Sequence, residues 1–227
     1  MKKVIITGCA DGIGFETAKL FLKRRYAVFG FDTKPIKEEI DINFQVVNIN
    51  DMTALKQYIE QLPNFDVVIN NAAIQFEKPF IEQTFEDIDL VINTNLASVI
   101  KFTQLMIKKL KTGSLIINLG SVHATHPRLN KLPYDVSKAG LDMFTKSLAL
   151  EIAPNIRVIG LNIGATKTPM NQVFEDKKVI ESALKKIPLN HIFTSNEIAK
   201  VIYRLTQPAF KFMTGSIVVF DGGRSLV

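Results

Sequence analysis

The sequence predicts an α/β protein: a doubly wound, seven-stranded parallel sheet with helices on both faces, folded as a single domain over residues 1–227. Three observations carry this expectation. Short continuous apolar runs such as Val4-Ile5-Ile6 alternate with amphipathic stretches of helical period, and such runs suit strands buried on both faces. A glycine-rich turn, Gly8-Cys9-Ala10-Asp11-Gly12-Ile13-Gly14, follows the first run and opens the first amphipathic stretch. Small and polar residues recur directly after the apolar runs, at the edge where open parallel sheets bind ligands. Hydrophobic residues make up 47% of the 227, enough for one large core.

In chain order, the first run leads through Thr7 into the glycine turn. A glycine backbone can approach a pyrophosphate, whose charge is met by amides at the following helix N-terminus. Phe15, Ala18, Phe21 and Leu22 mark that helix's apolar side, and the Gly-x-x-x-Gly-x-Gly spacing departs from the commoner G-x-G-x-x-G. The strand at 27–31 ends at Asp32, which is placed to accept from an adenosine ribose and to repel a 2′-phosphate. The alternative is an ordinary turn-forming Asp before Thr33-Lys34-Pro35. The short gap to the next strand, 44–49, leaves room only for an abbreviated crossover, one turn around 36–40.

Residues 53–62 read as a helix and 65–69 as a strand ending in Asn70-Asn71-Ala72-Ala73, where an amide can join neighbouring strand ends. The stretch 80–85 is irregular or briefly helical, and 88–110 is one long helix interrupted in polarity by Asn93-Thr94-Asn95. A buried Asn must be hydrogen-bonded, so Asn95 is either satisfied by backbone, the favoured reading, or held for function. The strand at 114–119 delivers Gly120-Ser121-Val122-His123, with the Ser121 hydroxyl just past its end. In the helix 134–152, Tyr134 and Lys138 share one face. A protonated Lys beside a phenol lowers its pKa and makes a general acid/base that works nearer neutrality. A Tyr that merely precedes a Lys on a structural helix is the alternative.

The sixth strand, 155–162, runs into Gly164-Ala165-Thr166-Lys167-Thr168-Pro169-Met170, rich in hydroxyls and backbone donors. Residues 169–192 read as a mobile lid, with Met170, Val173 and Phe174 as its apolar contacts. Thr194-x-x-Glu197 is a capping box opening a helix at 196–205, and 216–220 is the last strand.

Composition narrows the function. A single cysteine forbids an intramolecular disulfide and fits a reducing compartment, and the three histidines lack metal-ligand spacing, so no metal is expected. Val4-Ile5-Ile6 is too short for a leader or a membrane span, so a cytoplasmic protein without membrane attachment is expected. The net charge of +6 is scattered as pairs such as Lys108-Lys109 and Lys185-Lys186, which suits solvated helix faces and an anionic cofactor better than nucleic acid.

Together these motifs closely resemble the short-chain dehydrogenase/reductase family, nearly end to end and in the family's order. Thr7-Gly8-x-x-x-Gly12-Ile13-Gly14 is similar to its cofactor loop, Asn70-Asn71-Ala72-Ala73 to its N-N-A-G, and Gly164 with Thr168 to its P-G-x-x-x-T. Asn95, Ser121, Tyr134 and Lys138 fall on its catalytic tetrad. The resemblance implies a Rossmann-like fold, a nicotinamide dinucleotide, and hydride exchange between a secondary alcohol and a ketone. Tyr134 would move the proton, Lys138 would lower its pKa and hold the nicotinamide ribose, Ser121 would donate to the reacting oxygen, and Asn95 would hold a water as relay. Implied cofactor contacts are Gly8, Asp11, Gly12, Ile13, Gly14, Asp32, Asn48, Ile49, Asn71, Ala72, Tyr134, Lys138, Ile163, Thr166 and Thr168. Gln75 and His123 are candidate substrate contacts. Asp32 and Asp11 both disfavour a 2′-phosphate, and Lys34 lies past the contact, so NAD is the expected cofactor. Ala73, Ile163 and Asn48 depart from the family's usual Gly, Pro and Asp, and Ile163 is expected to leave its loop less rigid. The family also implies a homodimer or homotetramer pairing the helices 88–110 and 134–152. The alternatives are a 3-oxoacyl thioester reductase and a non-catalytic cofactor-sensing protein.

Overall fold

The computed structural model describes the backbone of residues 1–227 and every side chain except those of Gln172, Val173 and Glu175. Seven parallel strands form one sheet: β1 (Lys3–Thr7), β2 (Ala27–Asp32), β3 (Asn43–Val46), β4 (Phe65–Asn70), β5 (Leu110–Ser121), β6 (Ile156–Ile163) and β7 (Ile217–Phe220). Their order is β3-β2-β1-β4-β5-β6-β7, so the winding reverses between β1 and β4. The helices are α1 (Gly12–Lys23), α2 (Met52–Glu60), α3 (Phe85–Ile107), α4 (Leu132–Ile152), α5 (Lys177–Leu184) and α6 (Ser195–Leu205).

The pleat sends alternate strand residues to opposite faces. Val4 and Ile6 join Phe21 of α1 and Ile198 and Ile202 of α6 in one core, while Ile5 joins Leu55 of α2, Phe102 and Met106 of α3 and Leu141 of α4 in the other. By length and apolarity alone α3 could cross a membrane, but Val91, Val99, Phe102 and Met106 are buried inside this fold. The capping box that opens α6 is formed, Thr194 and Glu197 each accepting from the other's backbone; a second, Thr84 with Asp87, opens α3.

Four local expectations are corrected. No helical turn fills 36–40: the chain from Thr33 to Ile42 is a series of bends, and Pro35 denies it a backbone donor. The helix expected at 88–110 begins at Phe85, ends at Ile107 and contains a π-turn over Asn93–Ala97, closed by the Ser98 amide donating to the Asn93 carbonyl. Leu110 already belongs to β5. Ile163 does not loosen its loop, because it stays in the sheet paired with Ser121 and Phe220.

The central strands are joined by buried amides. Asn70 Nδ2 donates to Asn118 Oδ1 at 2.7 Å and to Thr103 Oγ1 at 3.0 Å, and Asn118 Nδ2 donates to Thr145 Oγ1 at 2.8 Å. One chain of hydrogen bonds thus links β4, β5, α3 and α4 within the apolar core. Asn118→Ala takes one bond from each of Asn70 and Thr145, which keep Thr103 and the Leu141 carbonyl, and each lost bond costs about 0.5–1.5 kcal/mol. Chemical denaturation should therefore show a lower midpoint with an unchanged slope, and an unchanged midpoint would contradict this role.

Candidate active site

At the C-terminal edge of the sheet, Gly8 has φ +67° and a Cβ there would lie 2.8 Å from the Ala72 Cα. Only glycine allows the turn to sit this close to the end of β4. Asn71 holds the approach: its Nδ2 donates to the Thr7 carbonyl at 2.9 Å and the Gly8 carbonyl at 2.7 Å. The Thr7 Oγ1 accepts in return from the Asn71 and Ala72 amides at 3.0 and 2.9 Å.

A groove of about 440 Å³ runs from this turn along the strand ends. It is lined by Gly8, Asp11, Gly12, Ile13, Asp32, Asn48, Ile49, Asn71, Ala72, Tyr134, Lys138, Ile163, Thr166 and Thr168, which is every expected cofactor position except Gly14. Gly14 is a correction. A Cβ there would meet the Gly8 carbonyl oxygen at 2.1 Å, so this glycine lets α1 pack under the turn instead of facing the groove.

At the groove's far end Asp32 acts as the turn-forming Asp of the alternative reading. Its Oδ2 accepts from the Ala10 amide at 3.0 Å and its Oδ1 from the Thr33 amide at 2.7 Å. A carboxylate has about four acceptor sites, so Asp32 retains capacity toward the groove. Lys34 does not lie past the contact as expected: its Nζ is hydrogen-bonded to Asp11 Oδ2, which raises the Lys34 pKa and offsets the Asp11 charge. The sequence argument against a 2′-phosphate therefore reduces to Asp32.

The π-turn aims Asn95 inward. Its Oδ1 accepts from the Ile74 amide at 2.8 Å, and its Nδ2 donates to the Ile74 carbonyl at 2.8 Å and to Ser137 Oγ at 3.2 Å. The Asn95 side chain is thus satisfied by the Ile74 backbone and Ser137, and it lines neither cavity. Lys138, 3% exposed, donates from Nζ to the Leu119 carbonyl at 2.9 Å and sits 5.6 Å from the Tyr134 ring centroid.

Their acidities depart from the sequence argument. Burial pushes Tyr134 up to about 12, against a downward pull from the Ser121 hydroxyl. Burial also brings Lys138 down to about 8, with Asp142 opposing. Desolvation is the largest cause for both groups, and on Tyr134 it works against the lowered pKa that the sequence argument expects.

A second cavity of about 730 Å³ adjoins the groove, and Tyr134, Ile163 and Asn171 line both. Ser121, Gln75 and His123 face this second space. His123 Nδ1 lies 2.9 Å from Asp135 Oδ1, and Asp135 Oδ2 also accepts from the Arg128 amide at 2.9 Å, so the histidine braces its loop while exposing an edge to the cavity. Burial lowers the His123 pKa, with Asp135 opposing. Gln75 bridges Lys131, whose Nζ donates to Oε1 at 3.0 Å, and Asn171, whose Oδ1 accepts from Nε2 at 2.6 Å. Phe174 and α5 roof the cavity, Met170 lines the groove, and the Val173 side chain lies outside the described residues. Sequence reasoning missed Lys131 and Asn171, since neither has a diagnostic spacing. It also missed the two-residue ladder of Thr166–Lys167 with Phe193–Thr194, which anchors both ends of the roof. Among the described residues no cluster of His, Cys, Asp and Glu could hold a metal.

A fold wound this way, with this turn and a Tyr and Lys at the junction of two cavities, defines a dinucleotide-binding oxidoreductase scaffold. The family model described as enoyl-(acyl carrier protein) reductase matches residues 8–225. A 3-oxoacyl-(acyl-carrier-protein) reductase from Thermotoga maritima is 33% identical, covering 98% of this chain and 97% of its own. L-xylulose reductase from Bos taurus is 28% identical over 98% and 96%. The solved structure of a short chain dehydrogenase family protein from Francisella tularensis superposes with TM-score 0.94 at 26% identity, over 100% of both chains. The chain belongs to the short-chain dehydrogenase/reductase family of oxidoreductases.

The Lys138 shift has a signed consequence. Its folded pKa of about 8 lies below the ordinary 10.5, so the unfolded chain binds more protons between those values and stability rises with pH across that window. The full effect is at most about 3 kcal/mol. Denaturation from pH 8 to 10 should show the wild type gaining on Lys138→Met; parallel pH profiles would contradict the buried charge.

Proposed function

We propose that the protein is an NAD(H)-dependent oxidoreductase that interconverts a secondary alcohol and a ketone, with Tyr134 as general acid/base. The observation that carries this reading is the meeting of two cavities at Tyr134, with Lys138 on the groove side and Ser121 on the other. The groove fits a dinucleotide, since it pairs a glycine cradle that a Cβ would fill with a carboxylate at the far end. Bound there, the dinucleotide supplies or accepts a hydride. The chain's own residues then handle position and charge. Gly8, Gly12 and Ile13 receive the pyrophosphate at the start of α1, while Asp32 accepts from the adenosine ribose. Thr166 and Thr168 orient the nicotinamide end, and Lys138 hydrogen-bonds its ribose.

Tyr134 holds its proton at neutral pH, which readies it to protonate a carbonyl oxygen; in the other direction it takes the alcohol proton. Ser121 donates to the same oxygen and stabilises the charge that grows on it. Asn95, fixed by Ile74, holds a water that connects Lys138 to solvent. Residues 169–192 act as a lid that closes over the second cavity and excludes water. The enzyme acts in the cytoplasm as a homodimer or homotetramer. Val136, Met143 and Leu150, seven residues apart on α4, are 53, 61 and 84% exposed, an apolar stripe suited to pairing of α3 and α4 between subunits.

Reduction of a 3-oxoacyl thioester is the second reading, favoured by the 33% identity to the Thermotoga maritima reductase. Both readings require Tyr134. In a screen of ketones, secondary alcohols and 3-oxoacyl thioesters, Tyr134→Phe should lower turnover by about 10²- to 10⁴-fold while NADH binding persists. Turnover within about tenfold of wild type would remove Tyr134 from the proton transfer.

A further inference from the structure

The second cavity carries a charge arrangement that the reaction alone does not require. Lys131 is 6% exposed, and its Nζ donates to Gln75 Oε1 at 3.0 Å and lies 3.6 Å from Glu77 Oε2. Arg128 shares that carboxylate, its Nη2 lying 4.0 Å from Glu77 Oε2, so one anion serves two cations. Across the cavity, Lys178 and Lys186 border it from the roof while staying solvent-exposed, and neither is ion-paired among the described side chains. Arg224 also lines the space, but its Nη1 is engaged by the Val227 oxygen at 3.0 Å. No Asp or Glu lines the cavity among the described residues.

Some lysines outside the cavity do have a carboxylate beside them: Lys19 lies beside Glu16 and Glu38, and Lys78 beside Asp87. Gathering cations in a half-enclosed space costs desolvation and mutual repulsion unless an anion joins them. Burial and Arg128 push the Lys131 pKa down, and the opposing pull of Glu77 and Asp135 does not restore it. Lys and Arg are donors only, and the Arg fork matches a carboxylate or a phosphate. A neutral polyol needs acceptors as well, which the Lys and Arg side chains lack.

We infer that the second cavity is built for a small substrate whose reacting alcohol or ketone carries an anionic group, a carboxylate or a phosphate, held between Arg128 and Lys131 on one wall and Lys178 and Lys186 on the other. This rests on the oxidoreductase reading above for the position of the reacting carbon. The cations line a cavity of about 730 Å³ beneath the roof, which commits the proposal to a small molecule.

The test measures binding by calorimetry, on the free protein and on the NADH-loaded protein, for matched pairs of probes. The carboxylate arm compares 3-hydroxybutyrate with 3-hydroxybutanamide, and the phosphate arm compares dihydroxyacetone phosphate with dihydroxyacetone. A neutral thioester, acetoacetyl-N-acetylcysteamine, is run beside them. The anionic member of at least one pair should bind about tenfold or more tightly than its neutral partner, equivalent to about 1.4 kcal/mol. Which arm shows the gap identifies the anion. In the double variant Arg128→Gln, Lys186→Gln, both positions being exposed and tolerant of change, the gap should fall to about threefold or less while NADH affinity holds. Lys131→Met should act in the same direction if it folds. Equal binding within both pairs, a gap unmoved in the double variant, or a preference for the neutral thioester would overturn the proposal. Failure of both NADH and NADPH to bind would instead overturn the oxidoreductase reading, while the anion arms on free protein would still decide the cavity's charge preference.

Discussion

The approach of the first glycine turn to the end of β4 is the constraint on which the rest of the site depends. Thr7 and Asn71 anchor four hydrogen bonds across adjacent strands, two accepted by the Thr7 hydroxyl from the Asn71 and Ala72 amides and two donated by the Asn71 side chain to the Thr7 and Gly8 carbonyls. That clasp fixes the turn against Ala72 at a distance no side chain on Gly8 could tolerate. It sets one wall of the groove and the direction from which α1 presents its N-terminus. Because β1 and β4 flank the point where the winding reverses, the same clasp opens the crevice in which parallel sheets bind ligands.

A second polar chain continues from it. Asn70, next to the clasp, reaches Asn118, and Asn118 reaches Thr145 on α4. The helix that carries Tyr134 and Lys138 is thereby joined to the strand that carries Ser121. In a low-dielectric core such bonds are costly to leave unmade, so they fix register and spacing more firmly than apolar packing alone. The groups that meet at the cavity junction are positioned by this buried network, while the roof over them rests on two-residue strands and exposed helix.

The fold was legible because the seven strands read as apolar runs and the intervening helices as amphipathic periods. The ligand edge was legible because Gly8, Asp32, Asn71, Ser121 and Thr166 each follow such a run. The rest was not, for particular reasons. A π-turn at Asn93–Ala97 adds one residue to a helix and leaves no mark in hydrophobic period. Gly14 and Gly8 look alike in sequence, yet one packs a helix and the other faces the groove. The reach of Lys34 to Asp11 spans a loop whose path is not encoded in spacing. The Tyr134–Lys138 argument counted charge but not burial, and burial moves both groups the opposite way. Lys131 stands in a loop without a motif, and only tertiary structure buries it.

In the proposed reading Asp32 is the group through which the sheet's architecture would become cofactor choice, since Lys34 offsets its acidic neighbour. The most direct measurement is a titration of the wild type and Asp32→Ala with NADH and NADPH, following the dinucleotide's own emission. The chain has no Trp to transfer energy to the dinucleotide. The account predicts that NADH binds the wild type about tenfold or more tightly than NADPH, and that Asp32→Ala closes most of the gap. A wild-type preference for NADPH, or a gap untouched by the substitution, would contradict the placement of Asp32 against the ribose.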